Sequence, residues 1–148
     1  MLTMKNIKLR EMEERDWNLY RDLTVLLTAE KPREQDFLGQ LHDPYVISMV
    51  ADYGRDRAAI FTVANFQYSF EILNLGVLPC FQRQGIASKL VQNLIDHHHV
   101  DKRRISMYLC EEHKSGAMFL AKMGFRAVNL CRNACPCGAD LIRMTRKL

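Results

Sequence analysis

The sequence has no apolar run approaching the roughly 20 residues that a membrane-spanning helix needs, and no repeat or low-complexity stretch. Glycine and proline are sparse, seven and four in 148 residues, and no Gly/Ser/Pro-rich linker divides the chain. One domain, residues 1–148, is therefore expected, long enough to bury roughly two thirds of its unfolded surface. A dense stripe of one charge is also missing. The net charge of +4 is spread, with small basic clusters only at "DKRR" (101–104) and "RMTRKL" (143–148). A nucleic-acid partner, which would call for interleaved basic and aromatic residues, is not expected, and neither is a membrane partner. No C-x2-C knuckle occurs among the five cysteines, Cys80, Cys110, Cys131, Cys135 and Cys137. Their odd number, with no long apolar signal-peptide core at the N-terminus, points to a reduced, cytoplasmic setting. The run "CRNACPCG" has C-x3-C-x-C spacing and no evident fourth ligand, so no metal is expected. His97, His98 and His99 are read as a cationic cap at a helix end.

What is present is a regular alternation of periodicities. "NIKLREME" reads as a first strand, and Asp16 as the N-cap of a helix carrying Trp17, Tyr20, Leu23 and Leu27 at helical spacing. A second short helix is expected from near Pro32. "YVISMVADYGRDRAAIFTVANF" reads as two strands about a turn, and "FEILNLGVLP" as a further strand ended by Pro79. Ile86, Leu90, Val91, Leu94 and Ile95 form one helical stripe. "RISMYLC" (104–110) alternates as a strand, and "KSGAMFLAKMGF" reads as a helix stopped by Gly124, with Met118, Phe119 and Met123 in the core. Two more strand-like runs flank a Pro/Gly turn at the C-terminus. The order implies a mixed α/β domain with a largely antiparallel sheet, and one βαβ unit over 70–110.

The centre of that unit, "VLPCFQRQGIASKLV" (77–91), joins a strand to a helix through a polar turn. A helix N-terminus leaves backbone N–H groups unpaired and, with the helix dipole, makes an anion site. Gly85 removes a Cβ from that site, Ala87 is the next smallest choice, and Arg83 and Lys89 add positive charge at the rim. Cys80 in this turn is read as a small apolar filler.

The run Val77-x-Pro79-x-x-Gln82-x-x-Gly85-Ile86-Ala87-x-x-Leu90 resembles motif A of the GNAT superfamily of acetyl-CoA-dependent N-acetyltransferases. "GAMFLAKMGF" (116–125) resembles motif B at the expected distance downstream. The resemblance is specific over residues 71–125. It implies a GNAT fold: a mixed, mostly antiparallel sheet of six to seven strands flanked by about four helices. It further implies that Leu75, Gly76 and Val77 face the thioester and pantetheine arm of acetyl-CoA. Backbone N–H groups of Arg83, Gln84, Gly85, Ile86, Ala87 and Ser88 would cradle the pyrophosphate. The Val77 N–H would serve as an oxyanion donor, contributing about 3 kcal/mol to the transition state. Members of the family frequently dimerise through C-terminal strands, so a homodimer is a further expectation.

The acceptor sets the proton problem. A primary amine of pKa near 10.4 is neutral in about one molecule in 2,500 at pH 7, so forming the nucleophile costs roughly 4–5 kcal/mol. A nearby base is the usual remedy. Glu71, six residues before Val77, stands where relatives that acetylate histones carry their general base; a solvated strand glutamate is the plainer reading. Leu120 stands where many relatives carry the tyrosine that protonates the leaving thiolate. Tyr108 or Cys110 on the neighbouring strand, or water, is left to supply that proton, and Tyr108 is taken as the candidate. His113 replaces an asparagine that contacts pantetheine. Tyr108 also stands where a branch acetylating protein N-termini often carries glutamate, which counts against that branch. Trp17, Tyr20, Phe37 and Tyr45 fall in the segment that shapes the acceptor pocket in such enzymes, with Phe37 and Tyr45 the candidates for substrate contact. The expected function is direct acetyl transfer to a primary amine of a small molecule or protein. The alternative is a non-catalytic acetyl-CoA sensor or interaction module.

Overall fold

The computed structural model describes residues 6–148 apart from His99. Strand β1 (Ile7–Glu11) is followed by a 3-10 turn (Glu14–Asp16) and helix α1 (Trp17–Thr28). Helix α2 (Glu34–Leu41) leads to β2 (Val46–Tyr53), β3 (Asp56–Asn65) and β4 (Ser69–Val77). A 3-10 turn (Pro79–Phe81) precedes α3 (Ile86–His98), then come β5 (Arg104–Cys110), α4 (Lys114–Lys122), β6 (Arg126–Cys131) and β7 (Leu141–Lys147). The strands form one seven-stranded sheet ordered β1-β2-β3-β4-β5-β7-β6. Only β4 and β5 run parallel, because the α3 crossover lies between them.

Each face of the sheet has its own core. The α3 stripe, Ile86, Leu90, Val91, Leu94 and Ile95, packs with Phe61, Val63, Phe70, Ile72 and Ile105. Burying each such aliphatic or aromatic side chain stabilises the fold by about 1.5–3 kcal/mol. On the other face α1 and α2 bring Leu19, Tyr20, Leu23 and Phe37 against Val50 and Ile60.

Three local expectations change. Helix α2 starts at Glu34, two residues beyond Pro32, and β4 ends at Val77, with Pro79 opening the 3-10 turn instead. Asp16 precedes α1 but does not cap it through its side chain. Its fully buried carboxylate accepts hydrogen bonds from the Glu13 N–H at 2.8 Å, from both Arg10 Nη atoms at 2.8 Å, and from Arg57 Nη1 at 3.4 Å. Arg10 also donates to Asp52 at 2.7 Å, tying β1, β2 and the root of α1 together. Burial alone would raise the Asp16 pKa, but the bonds from Arg10 and the Glu13 N–H outweigh it and hold the carboxyl below its usual value. Of the histidine cap, the described residues include the side chain of His97 only, whose Nδ1–H donates to Asn93 O at 3.0 Å; the side chains of His98 and His99 lie outside them.

Candidate active site

Strands β4 and β5 begin as neighbours and end apart. The parallel ladder joins Ser69–Ile72 to Arg104–Met107 and then stops. The cause lies on the other edge of β4. Opposite Thr62 and Val63, β4 carries one extra residue, Leu73, between Ile72 and Asn74. Such a bulge bends its strand and increases the local twist, so Asn74–Val77 follows β3 and leaves β5 behind.

The bulge also decides where backbone groups point. The Leu78 N–H donates to Ala58 O at 2.8 Å. N–H groups of an antiparallel strand alternate between its edges, so the Val77 N–H faces the β5 side, where the ladder has ended. Gln82 Nε2 donates to Val77 O at 3.1 Å and folds the following turn back against the strand end.

That turn has a strained backbone. Arg83 holds φ +63° and Gly85 φ +79°. Left-handed residues alternating with ordinary ones turn successive N–H groups toward one concavity, an arrangement that binds anions. Arg83 adopts the conformation at a cost of about 1–3 kcal/mol; at Gly85 the lack of a Cβ removes most of it. The concavity opens onto the N-terminus of α3, a helix of 13 residues.

A cavity of about 750 Å³ fills the gap between the splayed strands. Its floor is Met107 and Leu109, and its walls are the 81–88 turn and helix α4. It reaches Leu27 at the end of α1, on the opposite face of the sheet, so the gap is a passage from one face to the other. Gly76 permits this closeness: a Cβ there would sit 2.9 Å from Leu27 Cδ1. Every residue expected around the cofactor lines the cavity except Gln84. Lys89 does not add charge to the rim, because its Nζ donates to Ile7 O at 3.0 Å. His113 precedes the first turn of α4, its ring packed over Gly116. Leu120, 1% exposed, lies between cavity and core. Met118 is 62% exposed and lines the cavity, against the expectation that it is core, because the α4 face bearing it turns away from the sheet. Cys80 is exposed on its 3-10 turn and fills no apolar space.

Glu71 and Tyr108 sit on the other face. Glu71 is half-buried, flanked in register by Ala64 and Ser106, one residue before the ladder ends. Among the described residues its carboxylate enters no ion pair. Tyr108 is two residues beyond Ser106 and so shares its face. It is 41% exposed, does not line the cavity, and carries Arg143 over its ring at 5.7 Å. The Arg143 Nε is buried and without a hydrogen-bond partner among the described residues. Phe37 lies on this face but is not open to a substrate: it is 1% exposed, its ring 5.0 Å from Tyr20 and 5.5 Å from Trp17, inside the α1–α2 core. Tyr45 lies outside both helices, on the turn before β2, and is exposed.

Sequence reasoning passed over Asn74. Directly after the bulge, its Nδ2 donates to Thr62 Oγ1 at 3.1 Å and to the Tyr20 hydroxyl at 3.4 Å, and that hydroxyl donates to Gln40 at 3.1 Å. Burial raises the Tyr20 pKa by more than its hydrogen bond with Asn74 lowers it. A polar residue inside the apolar run "EILNLGV" was the available signal.

Residues 45–127, more than half of the chain, match the family model of the Acetyltransferase (GNAT) domain. The chain belongs to the GNAT family of acetyl-CoA-dependent N-acetyltransferases. The GNAT fold recurs in solved structures of low sequence identity. The ribosomal-protein-S18-alanine N-acetyltransferase from Escherichia coli aligns with a TM-score of 0.82 at 18% identity, over 95% of this chain and 93% of that one. Ard1 from Thermoplasma volcanium gives 0.87 at 15%, over 97% and 98%. A GNAT family acetyltransferase from Elizabethkingia anophelis, with acetyl-CoA bound, gives 0.79 at 19%, over 97% and 99%. No curated protein matches the sequence.

Proposed function

We propose that this GNAT domain transfers the acetyl group of acetyl-CoA directly to a primary amine, the two substrates meeting in the gap between β4 and β5. The observation that supports this reading is the cavity between the parted strands, walled by the 81–88 turn and reaching Leu27 on the other face of the sheet, the face that also carries Glu71 and Tyr108 outside the cavity lining. On the α3 side the N–H groups of Arg83 through Ser88 hold the pyrophosphate, and Leu75 through Val77 run beside the pantetheine arm. The inward Val77 N–H holds the developing oxyanion. On the α1 side Glu71, directly or through water, takes the proton of the entering amine. Tyr108 is the second proton-bearing group on this face. A thiolate of free pKa near 8.5 leaves without strong acid help, which accommodates Leu120 in place of a tyrosine. The exposed Val128 and Leu130 on edge strand β6 support a homodimer through that edge.

The acceptor class is a primary amine of a small molecule or protein. Two of the similar structures bear on its range: the S18 enzyme acts on an alanine of a ribosomal protein, and a Vibrio cholerae homologue of the fold is a spermidine N-acetyltransferase. The test is calorimetric binding of acetyl-CoA followed by thiol release against a panel of amines. Binding with amine-dependent release is expected. Binding without release for any amine would favour a sensor, and no binding would overturn the reading.

A further inference from the structure

We propose that Cys110, Cys135 and Cys137 form a three-thiolate site for a soft d10 cation, zinc or cuprous ion, at the end of β5. The end of β5 and the turn between β6 and β7 bring the three Sγ atoms within 4.8 Å of one another. Cys137 Sγ lies 3.0 Å from Cys135 Sγ and 3.5 Å from Cys110 Sγ. Three sulfurs bonded to zinc at ~2.3 Å in tetrahedral array stand about 3.8 Å apart. The trio therefore needs shifts of about 1 Å or less to enclose an ion at that bond length.

The backbone around the cluster holds two of the thiols on one short loop. In "CPCGA" the Gly138 N–H donates to Cys135 O at 2.8 Å and the Cys135 N–H to Ala139 O at 3.0 Å, with Gly138 at φ +90°. This closes a tight loop that carries both of its thiols toward β5. Thiolate ligands select zinc and cuprous ion over magnesium or calcium. Cys137 is exposed, which leaves a fourth position open to water. Binding would release the remaining thiol protons to solvent. The ion would tie the β6–β7 turn to the end of β5, where the His113 N–H donates to Cys110 O at 2.9 Å. It would thereby brace the root of α4 beside the cavity.

The other two cysteines are internal controls. Cys131 faces Leu141 in the β6–β7 ladder and Cys80 lies on the 3-10 turn, both outside the trio. The full chain, reduced and stripped of metal under anaerobic conditions, would be titrated with Zn²⁺ and with Cu⁺ against chromogenic competitors. Titration with Cd²⁺ would report sulfur ligation through its ultraviolet charge-transfer band. The expected result is one equivalent of zinc or cuprous ion, the Cd²⁺ band, and a raised Tm. Cys110→Ser and Cys137→Ser should each weaken uptake by about 100-fold or more, while Cys80→Ser and Cys131→Ser leave it unchanged. Cys135→Ser provides a further variant should either of the first two fail to fold, as judged by circular dichroism. No uptake of any of the three ions by the reduced protein would overturn the proposal. So would uptake that survives Cys137→Ser in a folded variant, or uptake lost with Cys131→Ser.

Discussion

The two sides of the β4–β5 gap are built from different materials. On the α3 side the walls are largely backbone: a turn with two left-handed residues, a helix N-terminus and an inward N–H at Val77. On the α1 side the polar groups are side chains set beyond the cavity lining: Glu71, Tyr108, Arg143 and the Tyr20–Asn74–Thr62 network. A backbone site tolerates few residues at a few positions, so it leaves a motif in the sequence. A side-chain site is assembled from distant elements and leaves none. The proposed division of labour follows the same line, with the shared cosubstrate held by backbone and the acceptor chosen by side chains.

Glu71→Gln should produce the largest effect and keep the two sides distinct. It removes the proposed base while preserving shape, so kcat should fall about 100- to 10,000-fold. The Kd for acetyl-CoA should hold within twofold, because Glu71 lies outside the cavity. A variant that loses cofactor affinity in calorimetry would mean that the two sides are not separable.

Asp16→Asn tests the acceptor side's foundation rather than its chemistry. It leaves Arg10 half-paired in a buried network, and breaking such a pair costs about 3–5 kcal/mol. Chemical denaturation should show this loss with an unchanged slope. The wild-type carboxyl has a folded pKa below its unfolded value of 3.8. Its contribution is therefore complete above that pH and disappears as pH falls through the folded value. The acid limb of the stability curve should flatten in Asp16→Asn.

How much could be read beforehand follows the same division. Strand β5 was found with its bounds, since the alternation in "RISMYLC" has no competing period. The anion-binding turn was readable from Gly85 and its neighbours. The Leu73 bulge, which opens the gap, was not, because an extra residue exists only relative to a partner strand. Phe37 was expected at substrate and is core, since helical spacing does not say which stripe a second helix will cover. Asp16 looked like a cap because Arg10, its true partner, lies on the preceding strand. The thiol trio was missed for a related reason: Cys110 comes from β5, and spacing within "CRNACPCG" pointed to Cys131 instead.

Gly85→Ala probes the backbone side directly. A Cβ at φ +79° strains the turn and intrudes where N–H groups converge. The strain of about 1–3 kcal/mol corresponds to a Kd for acetyl-CoA raised about 5- to 150-fold. With acetyl-CoA saturating, kcat should change little.

Gly76→Ala should have the smallest effect, and it falls where the two sides touch. The added Cβ meets Leu27 Cδ1 at 2.9 Å and Leu23 Cβ at 3.5 Å. The first contact is the far end of a flexible side chain, which can turn aside. The second is ordinary van der Waals distance and asks for no movement. Overpacking then costs about 1 kcal/mol, the low end of its usual range, and should appear as a modest fall in Tm. Leu27 also lines the passage, so its rotation changes the acceptor's route while the anion-binding turn is untouched. The acceptor KM should therefore shift by more than the KM for acetyl-CoA. Equal shifts in both would show that α1 and the turn move as one body, and that the boundary between backbone site and side-chain site is not at Gly76.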